Sequence, residues 1–283
     1  MPIDVDKVRG AELPAAGWDW GPDQVILYHL GVGAGVPATD DNELDYTYEA
    51  RLKVLPSFGV LPVFSMLGGM IGIDGMSFNP MMLLHGEQTI EIHKPLPTAA
   101  NVVSSGSICD VFDKGKGAAV VVTAETRDEA GELLCTNRFL SFIRGEGGFG
   151  GDPGPGPRNQ APERAPDLVV ESTTLPQQAL LYRLSGDKNP LHVDPAMAAL
   201  GGFDRPILHG LCSYGIVCKA VVDHALDGDP TVVTGYDARF AGVLFPGETI
   251  VTSLWHDGDR IVVDARCKER GTPVITNAAV TTA

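Results

Sequence analysis

Residues 145–162 read GEGGFGGDPGPGPRNQAP, the stretch that most sharply breaks the composition of this 283-residue chain. It is rich in glycine and proline and has no apolar periodicity, which is typical of a linker. On its two sides lie residues 1–144 and 163–283, and each part has the length of an ordinary domain. The sequence therefore predicts two units joined by a linker.

The two parts show the same order of predicted elements. In the first, an apolar helix-like run over residues 59–73 precedes a strand and two hairpins, which turn near DKGKG and DEAG. In the second, an apolar run over residues 211–226 precedes the strand ARFAGVLF and hairpins that turn at DGD and ERG. Residues 261–268 alternate in the period of two that a half-buried antiparallel strand requires. The order predicts an α+β chain in which an antiparallel sheet curls around one apolar helix, twice.

Composition and charge exclude several classes of protein. The chain has 36 acidic and 21 basic side chains, and its net charge of -15 repels nucleic acid at long range. Its longest apolar stretch, residues 58–73, contains Pro62 and glycines and is shorter than the roughly 20 residues of a membrane span. The five cysteines form no C-x-x-C pair, which favours reduced thiols. We expect neither a nucleic-acid nor a membrane partner.

Three polar side chains that can perform acid–base chemistry lie within six residues of the second part. Asp187, Asn189 and His192 belong to the segment YRLSGDKNPLHVD, residues 182–194, between two predicted short helices. A carboxylate, a carboxamide and an imidazole held in one loop can position a water molecule and exchange protons with it. The segment predicts a small acid–base site.

Each of these residues also has a structural interpretation. Asp187 and Asn189 are common turn residues, and His192 could be a buried histidine with satisfied hydrogen bonds. Asp194, which is followed by a proline, is the expected N-cap of the next helix. No G-x-S-x-G motif is present, so nucleophilic serine catalysis lacks support.

A metal site is the other chemical alternative for this segment, because Asp187, His192, Asp194 and His209 are potential ligands. A calcium loop of the D-x-N type would need glycine and glutamate at positions where His192 and Ala198 stand. A zinc or iron site lacks a third strong ligand at a recognisable spacing. We therefore predict no metal.

Two more positions carry potential chemistry. The apolar run from Leu211 is preceded by Gly210, whose N–H would lie at the positive end of a helix dipole and could act as an oxyanion donor. Lys114 and Lys116 form a basic turn in DKGKG. Their spacing alone indicates only a solvated turn.

These segments resemble a known family. YRLSGDKNPLHVD, then FDRPILHGLCSYG and ARFAGVLFPGET, are similar to the signature region of the MaoC-like hydratases and, more closely, of the (R)-specific 2-enoyl-CoA hydratase 2 group. NPMMLLHGEQTIEIHKPLP and DVFDKGKG continue the resemblance in the first half, so that it covers about residues 54–247. Several motifs in the right order make it specific.

The resemblance implies a double hot-dog fold, in which two antiparallel sheets each wrap around a helix in one chain. Residues 1–144 would form an N-terminal hot-dog unit that accommodates the acyl chain, and 145–162 the linker. Residues 163–283 would form the C-terminal unit with the catalytic residues. Residues 58–80, with seven glycines or prolines, are the expected place of widening for a bulky acyl chain.

The resemblance also implies roles for individual residues. Asp187 and His192 become the catalytic pair, Asn189 helps to hold the water, and the Gly210 N–H binds the thioester oxygen. The implied substrate-binding residues are His85, Gly86, Lys114 and Phe240. Lys114 thereby becomes a contact to the phosphates or the pantetheine of CoA.

The implied reaction is the reversible syn hydration of trans-2-enoyl-CoA to (3R)-3-hydroxyacyl-CoA, in β-oxidation of fatty acids or sterol side chains. The alternatives are a (3R)-hydroxyacyl thioester dehydratase of a synthetic pathway and a non-catalytic acyl-CoA-binding subunit. The resemblance implies no cofactor, with CoA as part of the substrate, and a homodimer. A start without a basic, then apolar, leader predicts a protein that stays in the cell. Because the end TTA is unlike S-K-L, a bacterial-like cytoplasmic location is expected rather than a peroxisomal one.

Overall fold

The computed structural model describes residues 3–283, except for the side chains of Ser65 and Leu67. Its strands are β1 Glu12–Trp20, β2 Leu83–Ile92, β3 Ala100–Asp113, β4 Gly117–Asp128, β5 Leu133–Arg144, β6 Leu168–Thr173, β7 Val233–Phe240, β8 Thr249–Asp257, β9 Arg260–Cys267 and β10 Pro273–Thr282. Its α-helices are α1 Val5–Val8, α2 Pro22–Gly31, α3 Asp41–Thr47, α4 Leu61–Phe64, α5 Gln178–Tyr182, α6 Pro195–Leu200 and α7 Gly210–Ala225.

The ten strands form one continuous antiparallel sheet in the order β1-β3-β4-β5-β2-β7-β10-β9-β8-β6. The first half of this order, read from its outer edge, matches the second half read from the opposite edge, with each strand number raised by five. The two halves meet where β2 pairs with β7, from Glu87 opposite Arg239 to Glu91 opposite Gly235. The predicted repeat of one sheet unit is therefore confirmed.

Each half curls around a segment of apolar chain, but the two segments differ. In the second half, α7 buries every residue from Leu211 to Val222, because the sheet covers it on most sides. In the first half the equivalent run is broken into a 3₁₀ turn over Pro56–Val60, then α4, and a second 3₁₀ turn over Ser65–Met70. The double hot-dog fold is confirmed.

The helix-like run predicted over residues 59–73 does not form a continuous helix, and its own residues explain why. Proline and glycine in the run disfavour a regular helix. Gly59 also approaches the sheet too closely for a side chain, since a Cβ there would lie 2.7 Å from a methyl carbon of Ile90. Asn137 of β5 donates a 2.9 Å hydrogen bond to the Gly59 carbonyl, which holds that close approach.

The four predicted hairpin turns are confirmed, at residues 114–116, 129–132, 258–259 and 268–272. The expected alternation of buried and exposed side chains in β9 fails at Val262. This residue is only 2% exposed, although it lies on the outer face of the sheet, opposite to its neighbours Ile261 and Val263. Its neighbour on β8 is Trp255, whose indole N–H donates to the Arg164 carbonyl at 3.0 Å. The chain after β5 thus covers part of the outer face.

Residues 145–162 contain neither helix nor strand. The sheet nevertheless runs without a break from one half to the other, so the boundaries of the two units stay a prediction. In the part of the chain that the structure describes, no helix combines the length and the apolarity needed to cross a bilayer. All five cysteines are free thiols, and four of them are buried.

A buried ion cluster joins α3 to α7. The Lys219 ammonium lies 2.6 Å from a carboxylate oxygen of both Glu43 and Asp223, and all three side chains are at most 13% exposed. The Tyr46 hydroxyl donates to Asp223 at 2.6 Å. Because these charges have little water around them, each depends on its partners for solvation.

We expect Lys219→Met to lower the free energy of unfolding by about 3 kcal/mol or more, because it leaves two buried carboxylates without a cation. The measurement is urea unfolding followed by circular dichroism. Lys268→Met is the matched control, since Lys268 makes an equally short pair with Glu171 at the surface, with both side chains about half exposed. It should cost less than about 1 kcal/mol. Equal losses from both variants would contradict the assignment.

Candidate active site

The segment with the predicted acid–base residues is a tight turn between short helices. It leaves α5 through a 3₁₀ turn, Arg183–Ser185, and enters α6 through another, Pro190–His192. The Asp187 carboxylate accepts the backbone N–H of Asn189 at 3.0 Å, and the Asn189 side chain accepts that of Leu191 at 3.0 Å. Asp187 and Asn189 therefore form turn hydrogen bonds with the backbone, and these bonds fix their side chains in place.

Asp194 caps α6, as predicted, and accepts the N–H of Ala196 at 2.8 Å. This bond gives its carboxylate a structural role at the start of the helix.

His192 is buried, and its ring orientation is set by a carbonyl group. Its Nδ1 lies 2.9 Å from the Ile207 oxygen, and a carbonyl can only accept a hydrogen bond. Nδ1 therefore carries the hydrogen in the neutral ring, which leaves Nε2 as an acceptor. This tautomer makes His192 a base on the side that faces away from Ile207.

His209 stacks on His192, with 3.8 Å between the ring centres and 28° between their planes. Its Nε2 lies 3.3 Å from the Asp187 backbone oxygen, so Nε2 is the protonated nitrogen. Its Nδ1 is buried and has no hydrogen-bond partner among the residues described. The sequence had suggested His209 only as a metal ligand.

Both rings are held in the neutral form. Burial lowers the pKa of His209 to about 3, and the neighbouring His192 ring adds to the effect. Burial also lowers the pKa of His192, although the Ile207 carbonyl and the Asp187 carboxylate partly oppose this. A neutral imidazole at pH 7 can accept a proton, which a protonated one cannot.

Asp187, His192 and His209 each offer an atom that could bind a metal, and these atoms all lie within 4.8 Å of one another. The stacking of the two rings argues against a shared ion, because a histidine lone pair lies in the plane of its ring. In rings stacked almost face to face, the lone pairs lie in nearly parallel planes and do not converge on one point. The geometry thus favours acid–base chemistry over metal binding.

Gly210 is the first residue of α7 and is exposed. The His209 carbonyl accepts the N–H groups of Cys212 and Ser213, whereas the first N–H groups of a helix have no partner within it. The N–H of Gly210 therefore stands at the positive end of the dipole of a 16-residue helix. A Cβ at Gly210 would lie 3.3 Å from the ring of Phe240, so the two residues are close neighbours.

A cavity of about 480 Å³ adjoins this position, and all four predicted substrate-binding residues line it. The rings of His85 and Phe240 lie 4.8 Å apart, which connects β2 to β7 across the middle of the sheet. Burial lowers the pKa of His85 to about 4, so this ring is neutral too. Phe240 touches both the cavity and Gly210, and therefore links the two groups of predicted residues.

Sequence reasoning did not predict two neighbours of the predicted acid–base residues. His209 forms the stack described above, and Tyr182 lies with its ring centre 5.0 Å from that of His209. The dipeptide His209-Gly210 at the start of an apolar helix was the available signal. No sequence signal marked Tyr182, because a tyrosine at the end of a short helix is usually part of the core.

Comparison with known proteins supports a single assignment. Residues 18–145 match the family described as MFE-2 hydratase 2 N-terminal domain, and residues 158–278 match the MaoC-like domain. An enoyl-CoA hydratase of Mycobacterium tuberculosis is 46% identical over 279 residues, covering 97% of each chain. A peroxisomal enoyl-CoA hydratase 2 of Arabidopsis thaliana is 41% identical, covering 95% of this chain and 93% of its own.

A solved MaoC-like dehydratase of Phytophthora capsici superposes with a TM-score of 0.89 and is 32% identical, covering 99% of this chain and 98% of its own. The matches to both halves, in this order and over nearly the whole length, agree with the resemblance given by the motifs. The chain belongs to the MaoC-like family of hydratase 2 proteins.

Proposed function

We propose that the chain is an (R)-specific enoyl-CoA hydratase that adds water to trans-2-enoyl-CoA and gives (3R)-3-hydroxyacyl-CoA in β-oxidation. The relatives named enoyl-CoA hydratase support a hydro-lyase of this type. One observation carries the proposal at the level of residues. His192 of the Asp187 and His192 pair stacks on His209, and the next residue, Gly210, begins α7 and contacts Phe240 in the lining of the cavity.

Gly210 is proposed as the donor to the thioester oxygen. Attack of water on C3 moves negative charge onto this oxygen, and a fixed N–H that stabilises the charge lowers the barrier. The dipole of α7 acts in the same direction. A glycine suits this position because any larger side chain would press against the ring of Phe240.

His192 is proposed as the base. Its Nε2 accepts a proton from the water as the water oxygen bonds to C3, and the Asp187 carboxylate stabilises the resulting imidazolium. The imidazolium then returns the proton to C2 on the same face. The sum is one water added syn across the double bond, with His192 unchanged. The side-chain oxygen of Asn189 accepts the N–H of Leu191, so its amide N–H₂ is left to orient the water.

The acyl chain is proposed to lie along the broken helical segment of the first half. In this segment the turns over residues 56–70 stand where the second half has the regular helix α7. Met81, Met82 and Leu84 follow this segment with exposed apolar side chains, and Leu84 also lines the cavity. Such a surface suits a long or bulky acyl group.

A dehydratase of (3R)-hydroxyacyl thioesters is the second candidate, because a chain 32% identical over nearly the whole length is described as a MaoC-like dehydratase. The same residues catalyse both directions, so the carrier of the acyl group separates the candidates. Faster turnover of CoA thioesters than of carrier-protein thioesters would support the hydratase. A purified single chain that left every enoyl-CoA unchanged would instead indicate a non-catalytic subunit.

We also propose that the reaction needs no metal and no organic cofactor, since the proton transfers and the oxyanion contact are all assigned to the chain itself. Full activity after treatment with a chelator is the expected result. The homodimer and the cytoplasmic location stay predictions, and the relatives include both a bacterial and a peroxisomal protein.

Asp187→Asn and His192→Gln should each fold normally and lower kcat for trans-2-enoyl-CoA by about 10² or more, because each removes one partner of the proton transfer. The loss of enoyl absorbance measures the rate. Asp194→Asn is the matched control, because the same change there affects a helix cap that asparagine also forms. Turnover near that of the unmodified enzyme in either of the first two variants would refute the assignment.

The pH profile tests the neutral state of His192. Because burial holds its pKa below the ordinary value of about 6.5, the basic form persists to lower pH. We expect kcat/KM to keep more than half of its maximum at pH 6.5, and the midpoint of its decline to lie below that pH. A histidine with an ordinary pKa would already have lost half of the activity at about pH 6.5. Circular dichroism at each pH excludes unfolding as the cause of a decline.

A further inference from the structure

The glycine- and proline-rich linker is fastened to the sheet at its beginning. The carboxylate of Asp113, at the end of β3, accepts the N–H of Gly148 at 2.8 Å and of Gly150 at 2.7 Å. It also accepts the N–H of Gly115 in its own hairpin at 2.8 Å. These bonds lower the pKa of Asp113, so the carboxylate stays charged. A segment with no regular structure is therefore held in one path.

That path leads over the cavity. Residues 155–159 line it, and they are anchored to the other half of the sheet. The amide of Asn277 in β10 donates to the Arg158 carbonyl at 2.7 Å, and the Asn159 amide lies 3.4 Å from the Asp237 carboxylate. The linker is thus a wall of the cavity as well as a connection between halves.

The cavity carries an excess of positive charge in a chain whose net charge is -15. Its lining cations are Lys114, Arg138, Arg158 and Arg239. Its carboxylates are Glu87 and Asp237, and Asp237 already accepts the Thr89 hydroxyl at 2.7 Å. Within residues 3–283, no carboxylate oxygen lies within 4.0 Å of a guanidinium nitrogen of these three arginines.

Unpaired arginines around a cavity are suited to phosphate, because the planar guanidinium forms paired hydrogen bonds with phosphate oxygens. Arg138 and Arg239 stand on β5 and β7, on the two sides of β2, and Arg158 approaches from the linker. The cavity also reaches Phe240 and, through it, Gly210. A ligand with an acyl thioester at one end and several phosphates at the other fits this arrangement.

We propose that Arg138, Arg158 and Arg239 bind the nucleotide phosphates of CoA, and that the linker arginine makes the enzyme select CoA thioesters over carrier-protein thioesters. A carrier protein presents phosphopantetheine without the adenosine phosphates. The linker therefore supplies substrate selectivity. The proposal rests on the proposed function for the identity of the thioester.

Arg158→Gln and Arg239→Gln test the proposal with thioesters of one trans-2-enoyl group on CoA, on 3′-dephospho-CoA and on N-acetylcysteamine. N-acetylcysteamine copies the thiol end of pantetheine and has no phosphate. We expect each variant to lower the ratio of kcat/KM for the CoA ester to that for the N-acetylcysteamine ester by about tenfold or more. In the unmodified enzyme, the rise in KM from the CoA ester to the 3′-dephospho-CoA ester shows how much of the contact belongs to the 3′-phosphate.

Arg144→Gln is the matched control, because Arg144 is an exposed arginine at the end of β5 that does not line the cavity. It should leave the ratio unchanged. An equal ratio in Arg158→Gln, Arg144→Gln and the unmodified enzyme would overturn the role of Arg158.

Calorimetric binding of free CoA separates this inference from the proposed function. Weaker binding of CoA by Arg158→Gln supports the phosphate contact even if the enzyme hydrates none of the thioesters, in which case only the proposed reaction falls. Equal dissociation constants for Arg158→Gln and the unmodified protein would overturn the contact even in an active hydratase.

Discussion

The pairing of β2 with β7 is the constraint on which the rest of this structure depends. It joins two five-stranded sheets edge to edge and leaves neither inner edge open to other chains. The same seam places His85, at the start of β2, beside Phe240, at the end of β7. The cavity lies along the seam and needs both strands for its walls. Neither half could form this cavity alone.

The first half also supports the turn with the acid–base residues, through the end of α2. Gln178 of α5 donates to the Gly31 carbonyl at 2.7 Å, and the thiol of Cys212 in α7 reaches the same oxygen at 3.3 Å. A Cβ at Gly31 would lie 3.2 Å from the Tyr182 backbone. The end of α2 therefore contacts both α5 and α7, and it sets the distance between these two helices beside the proposed catalytic group.

Much of the fold followed from the sequence because it depends on local patterns. Turn residues marked the hairpins, and the unbroken apolar run from Leu211 predicted a helix enclosed by sheet. The prolines and glycines of residues 58–80 predicted a weakened helix, but the exact form of this run also depends on distant partners, including Ile90 and Asn137. Local propensity does not report such contacts.

The candidate site also has a part that the sequence predicts and a part that it does not. Asp187, Asn189 and His192 could be found because they share one short segment. The stack of His209 on His192 could not be predicted, since it depends on how α7 begins relative to a turn seventeen residues earlier. The cationic lining of the cavity draws on two strands, the turn after β3 and the linker, and no local pattern in the sequence marks it.

The two halves of the sheet correspond strand by strand, yet only the second retains a continuous central helix. An assembly of identical units would have to repeat every change in both copies. Because both copies are parts of one polypeptide, substitutions can accumulate in either without affecting the other. The broken segment over residues 56–70 is such a one-sided change, and it makes the interior of an internally repeated protein asymmetric.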